Sequence, residues 1–211
     1  MKTLIKLLAI TVASCAVSVY AVPTLTIFDG TTTVTITDGS SNDSCPDLGC
    51  VTWIGTIGVW NINVDTGLTK PVSGDPTHLN MDLSFVAHST TAGNLTVSWS
   101  DDGYTLSRGV IDAIGGTTDG SLSDNVMING STIFNLGPFG PGAFSDSTTG
   151  NITLNPADIV AMQVLITHSG SGSTTGDKNL QVPDGGSALA FLGMALVGLE
   201  GLRRKIRARR A

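Results

Sequence analysis

Cys45 and Cys50 enclose Pro46-Asp47-Leu48-Gly49, a spacing at which two thiols have two chemical uses. They can close a small disulfide loop in an oxidising compartment, or they can supply half of a metal site. No second cysteine pair and no nearby histidine completes a metal set, so the pair predicts a disulfide that staples a loop. The histidines His78, His88 and His168, in a chain rich in Ser and Asp, provide the residue types of a Ser-His-Asp hydrolase. No Gly-x-Ser-x-Gly elbow marks any serine as a nucleophile, and His168 reads as a strand-end residue satisfied by backbone. A glycosidase would need two Asp as acid and nucleophile, because the body contains no Glu. Asp101 and Asp102 are adjacent, which puts them on opposite faces of a strand or together at a turn tip, and the turn is expected. The body is read as non-catalytic.

Binding chemistry has two further candidate sets. Trp60, Trp99 and Tyr104, with Trp53, offer aromatic faces on which a β-sandwich can stack sugars. Core packing competes for the same residues, since aromatics number eleven in 211 and a core needs them inside. Trp60 falls out of phase with Val59 and Ile62, which predicts that it is the exposed one. Loop carboxylates and carbonyls could also assemble a seven-coordinate calcium site. No Asp-x-Asp-x-Asp-Gly spacing is present, and acidic solvation of a secreted surface explains the same composition. No cofactor is expected, with calcium as the alternative.

The elements that must carry these residues follow from composition. Between residues 23 and 181 there are fifteen Asp and no Glu, against Lys70, Arg108 and Lys178, a net charge of −12 that the basic C-terminal end masks in the whole-chain value of −6. Such a surface repels nucleic acid and anionic lipid, so no nucleic-acid partner is expected. Absence of Glu and scarcity of Lys disfavour surface helices, while Thr, Ser, Gly, Asn and Asp suit strands and tight turns. The length suffices for one domain with a real core.

Asp29-Gly30 between two Thr/Ile/Val runs is a two-residue hairpin signal. Pairing Phe28 with Thr31 would set Leu25 opposite Val34 and put both apolar sets on one face. Residues 38–50 form a polar loop, and 51–64 alternate loosely. Residues 78–85 alternate strictly, as a strand with one wet face should. Leu95, Val97 and Trp99 repeat that pattern. Residues 110–114, 125–128, 132–136 and 151–154 are short strand candidates, 137–142 read as a loop, and 159–167 are the longest apolar run of the body. Eight to ten short strands without an internal repeat predict an all-β fold, a single β-sandwich of jelly-roll or Ig-like type, over residues 22–173. Residues 174–181 read as a polar linker.

Both chain ends carry sorting information. Lys2 and Lys6 precede an apolar stretch over 7–19, and Val19-Tyr20-Ala21 suits signal-peptidase cleavage after Ala21, so residues 1–21 form a signal helix. Val12-Ala13-Ser14-Cys15 resembles a loose lipobox, the alternative mature N-terminus. At the other end Val182-Pro183-Asp184-Gly185-Gly186-Ser187 opens a segment with no charged side chain from Gly185 to Leu199. A helix over 187–202 would be roughly 24 Å long at about 1.5 Å per residue. It is short against a bilayer core of about 30 Å. The stop that follows, Arg203, Arg204, Lys205, Arg207, Arg209 and Arg210, stays cytoplasmic by the positive-inside rule.

Motif, short apolar helix and basic stop in this order resemble the PEP-CTERM sorting tails, in the Val-Pro-Asp variant (VPDSG-CTERM-like), with Asp184-Gly185 where the commonest form has Glu-Pro. The resemblance spans 182–211 and implies the motif residues Val182, Pro183, Asp184, Gly185 and Gly186. It also implies an exosortase-type membrane transpeptidase as partner, after signal peptidase, in a Gram-negative bacterium that makes exopolysaccharide. Residues 95–105, 115–120 and 164–170 resemble ectodomains found ahead of such tails. The implied protein is exported, held transiently in the inner membrane, and then displayed on the cell surface or released. A non-catalytic structural or matrix-associated role is expected, with a carbohydrate-binding module as the alternative.

Overall fold

The computed structural model describes residues 22–183. The signal segment, the motif from Asp184 onward, the expected transmembrane helix over 187–202 and the basic stop lie outside the described residues. Twelve strands and no helix make up the described part. They are β1 (Thr24–Phe28), β2 (Thr33–Thr37), β3 (Cys50–Ile57), β4 (Trp60–Leu68), β5 (Asn80–Ser89) and β6 (Gly93–Asp101), then β7 (Leu106–Thr118), β8 (Ser121–Ile128), β9 (Ser131–Phe139), β10 (Gly142–Leu154), β11 (Val160–His168) and β12 (Gly172–Gln181). They form two six-stranded sheets, ordered β2-β1-β6-β11-β8-β9 and β10-β7-β12-β5-β4-β3.

Period-two alternation explains why the sheets pair face to face. On β5, Met81, Leu83, Phe85 and Ala87 are buried while Val86 and His88 are exposed. The same pattern buries Leu95, Val97 and Trp99 on β6 and Val160, Met162, Val164 and Ile166 on β11. Inward residues of both sheets join one apolar cluster, which is how a two-layer β domain makes its core. The all-β, two-sheet expectation is met, with twelve strands where eight to ten were expected.

Local details depart from the sequence reading. The first hairpin pairs Phe28 with Thr33 and Leu25 with Ile36, two residues out from the expected register. The cause is Asp29, whose Oδ1 accepts from the backbone N–H of Thr31 at 2.9 Å and Thr32 at 2.7 Å, widening the turn. A shift of two leaves every side chain on its expected face. The run 51–64 is a hairpin, turning at Gly58 (φ 54°) so that Ile57 pairs with Trp60. That turn resets the phase, and Trp60 is buried rather than exposed. Residues 137–142, read as a loop, mostly belong to β9 and β10.

The largest departure is at 174–181. The polar stretch read as a linker is β12, hydrogen-bonded between β7 and β5 in the middle of its sheet. Its inward positions are Gly172, Thr174, Gly176, Lys178 and Leu180, all buried. Only Leu180 is apolar and large. The ring of Phe85 fills the place a Cβ on Gly176 would take, and Thr174 and Lys178 find buried polar partners. The domain therefore runs to Gln181.

Candidate functional site

Cys45 and Cys50 form a disulfide with Cα atoms 5.8 Å apart. Its loop is organised by carboxylates. Asp43 accepts from the backbone N–H of Gly39 at 3.0 Å, Cys45 at 2.9 Å and Thr52 at 3.0 Å, and Asp38 accepts from Gly49 at 2.7 Å. Asp75, Asp119 and Asp158 cap turns in the same way. Backbone donors from Thr32 and Thr31 hold Asp29 below the usual carboxylate range. Asp158 is held low chiefly by the Asn155 N–H, and Asp75 by the hydroxyl and N–H of Thr77. Much of the acidity thus serves turn geometry. Among the described residues no three His, Cys, Asp or Glu side chains converge as metal ligands.

His168 lies inside the sandwich at the end of β11. Gly120 N–H donates to Thr118 Oγ1 (3.1 Å), and Thr118 and Thr174 hydroxyls meet at 2.7 Å. Thr174 lies 2.8 Å from His168 Nε2, Ser89 Oγ lies 2.6 Å from Nδ1, and Ser89 donates to Gly170 O at 3.1 Å. A neutral imidazole protonated on Nδ1 satisfies every link: Thr118 donates to Thr174, Thr174 to Nε2, and Nδ1–H to Ser89. The Trp60 ring packs at 4.9 Å. Burial, with a smaller effect of His88, pushes the His168 pKa down against the opposing charge of Asp119. A serine beside a histidine here is buried, and the far nitrogen faces threonine instead of a carboxylate. The arrangement is a hydrogen-bonded wire without solvent access, and its partners are side chains rather than the expected backbone.

The proposed sugar-stacking residues Trp60, Trp99 and Tyr104 are all fully buried, which corrects that assignment. Trp60 Nε1 donates to Asn94 O at 3.1 Å and Trp99 Nε1 to Leu68 O at 3.0 Å, so both indoles tie one sheet to the other. Trp53 is half-buried, packed on the core and over Gly55. Asp101 is no turn tip. It closes β6, 2% exposed, accepting from Lys70 Nζ and from Thr69 Oγ1 (2.7 Å), while the Lys70 ammonium sits 4.2 Å over the Tyr104 ring. The Tyr104 hydroxyl meets Thr69, and burial raises its pKa. Adjacent Asp102 offers its carbonyl to Lys70.

What the surface does offer is the outer face of the β10-β7-β12-β5-β4-β3 sheet. A groove of about 630 Å³ runs between Ser145, Asp146 and Ser147 on β10 and Asp177 and Asn179 on β12. A second, of about 360 Å³, lies between Ile54, Asn61, Asn63, Val86 and His88. A smaller hollow of about 230 Å³, lined by Ser84, Gly116 and Thr175, lies between them. The side-chain oxygens of Asn63 and Asn179 are buried without a hydrogen-bond partner. Burial, and then the neighbouring Asp177 charge, raises the Asp82 pKa. Sequence reasoning missed this face, because its residues come from strands that are far apart in sequence and one of them was read as linker.

The body ends where the sorting motif starts. Val182 N–H donates to Leu79 O at 2.8 Å and its side chain packs on the core, while Pro183 is exposed. No spacer separates the last strand from the motif.

No curated protein matches the chain. Among solved structures, TmCBM61 in complex with beta-1,4-galactotriose aligns with a TM-score of 0.34 and 10% identity, covering 60% of this chain and 90% of that one. The enzymatically active domain of tailspike protein 4 of bacteriophage CBA120 aligns at 0.34 and 9%, covering 60% and 20%. A beta-glucosidase from Kluyveromyces marxianus in complex with glucose aligns at 0.30 and 10%, covering 73% and 15%. Likeness this low carries no argument about ligand or activity. The C-terminal end is different: a family model for the VPDSG-CTERM motif matches residues 181–206, and the chain therefore carries a PEP-CTERM-like exosortase sorting tail.

Proposed function

We propose that the chain is an exported, exosortase-sorted structural protein of the cell surface or extracellular matrix that performs no catalysis of its own. The observation that carries this reading is the junction at Gln181-Val182. The matched tail starts on the last residue of a central strand, and Val182 is hydrogen-bonded to Leu79. The sorted cargo is thus the sandwich itself, held by its own core strand. The side-chain chemistry supports a passive body: His168 and Asp101 are buried and fully engaged, and the loop carboxylates cap turns.

Intact mass of the protein from cell surface and medium tests the reading. The expected species begins near Val22 and ends between Val182 and Gly186. A mass retaining the Arg203–Arg210 cluster would make the protein a plain membrane-anchored ectodomain and overturn exosortase sorting.

A second reading, exopolysaccharide binding, is favoured by the polar groove beside Asp177 and Asn179. It no longer uses the buried aromatics. Retention of the folded body on the host polysaccharide, lost in Asp177→Ala and Asn179→Ala, is the outcome that would support it. Passage without retention would dismiss it.

A further inference from the structure

Lys178 is the one lysine of the described residues with no solvent exposure, and it faces two carboxylates that have none either. Its Nζ lies 2.8 Å from Asp112 Oδ1 on neighbouring β7 and in close contact with Asp124 Oδ1 on β8, in the opposite sheet. The strand neighbours of the three are apolar except Thr148, half-buried beside Asp112 on β10. Leu83 and Ile114 flank Lys178, Leu180 flanks Asp112, and Val164 and Leu136 flank Asp124. All five are buried. None of the three side chains reaches solvent, and a lysine there serves neither solubility nor any site described above.

As an ion cluster this arrangement is poorly balanced. One ammonium against two carboxylates leaves a net negative charge in the core, where each buried charge costs several kcal/mol to desolvate. The second oxygens, Asp112 Oδ2 and Asp124 Oδ2, have no hydrogen-bond partner, although buried polar atoms are normally satisfied. The elements are those of an acyl transfer instead. A desolvated amine is a nucleophile, a carboxyl kept neutral by an apolar site is an electrophile, and a second carboxylate in contact can carry the proton.

We propose that Lys178 and Asp124 condense to an intramolecular amide, with Asp112 as the proton carrier, so that a covalent bond joins the two sheets through the core. Lys178 first passes a proton to Asp124, giving a neutral amine and a carboxylic acid. Nζ attacks Asp124 Cγ, and the N–C bond forms as the Nζ proton moves to Asp112. Asp112 returns that proton to a hydroxyl of the tetrahedral centre, the C–O bond breaks, and one water leaves. Asp112 ends as it began and no oxidant, reductant or activated donor is consumed. Burial, opposed by the Lys178 charge, pushes the Asp124 pKa up to about 6, in keeping with its role as the acid. The bond removes the ammonium and one carboxylate from the core, and only the folded chain brings the three groups together.

Lys70 and Asp101 provide an internal contrast. They pair at the edge of the core with Lys70 12% exposed, and the ammonium also donates to the Asp102 carbonyl while Asp101 accepts from Thr69. No amide is expected there.

The test is mass spectrometry of the full chain, denatured and reduced. The expected mass is one water below the sequence. Trypsin should cleave after Arg108 but not after Lys178, and chymotryptic digestion should yield a branched peptide joining the segments around Lys178 and Asp124. The branched peptide should vanish in Lys178→Met, Asp124→Ala and Asp112→Ala. Aspartimide at Asp29-Gly30, Asp38-Gly39, Asp102-Gly103, Asp119-Gly120 or Asp184-Gly185 would also lose one water, so a loss mapped to one of those sites overturns the proposal. Full mass with cleavage after Lys178 in the wild-type chain overturns it too, whether or not any variant folds. A branch to Asp112 would reverse the roles of the two acids and overturn the assignment as stated.

Discussion

At the scale of single residues, His168 illustrates how this chain uses polar groups. Its two ring nitrogens are spent on Ser89 and Thr174. Removing one partner leaves a buried nitrogen unpaired, which costs about 1–3 kcal/mol. Thr174→Val keeps the shape and deletes the donor to Nε2, and Ser89→Ala deletes the acceptor for Nδ1–H. Each is expected to lower unfolding free energy by about that amount in urea titrations. The pair should be non-additive, since both act on one ring. A fluorophosphonate probe should leave Ser89 unlabelled, and labelling would contradict the wire. The disulfide pair was legible in the sequence because its spacing and turn residues are local. The buried roles of Asp101 and His168 were not, because each depends on partners that are remote in sequence: Lys70 for the first, Ser89 for the second.

At the scale of elements, legibility follows how a strand buries itself. β5, β6 and β11 alternate large apolar residues and could be read directly. β12 could not, because its inward positions are Gly, Thr, Gly, Lys and Leu, and what fills the space over it is Phe85 from the next strand. The groove on the outer face was hidden with it, since Asp177 and Asn179 belong to that strand. This dependence is testable. Gly176→Ala puts a methyl group into the Phe85 ring, and overpacking of this kind costs about 1–3 kcal/mol. Gly170, which has nothing within 4 Å and no positive φ, is the matched control. Gly170→Ala should leave the thermal midpoint nearly unchanged while Gly176→Ala lowers it. Equal midpoints would mean that β12 does not pack as described.

For the whole molecule, the titrating groups set the sign of stability against pH. His168 is depressed below its ordinary 6.5, so the folded state favours its neutral form. Its contribution is full above about pH 6.5 and is lost as pH falls below that value. Asp29, Asp75 and Asp158 are also depressed, from an ordinary 3.8. Their contribution is present above about pH 3.8 and is lost as pH falls through their lowered values. These two effects share a sign and occupy different windows. Asp124 works the other way. A free carboxyl raised from 3.8 to about 6 favours folding most below pH 3.8 and loses that advantage as pH rises to about 6. Once bound in an amide it does not titrate, and Asp82, also raised by burial, is left to oppose the losses. Thermal midpoints should therefore hold level from about pH 8 to 7, fall below about 6.5, and fall again below about 4. The second fall should be reduced in Asp29→Asn, which retains a carbonyl acceptor without the charge. A midpoint that rises between about pH 6 and 4 in the wild type, and still rises in Asp82→Asn, would reveal a free carboxyl at Asp124 and contradict the amide.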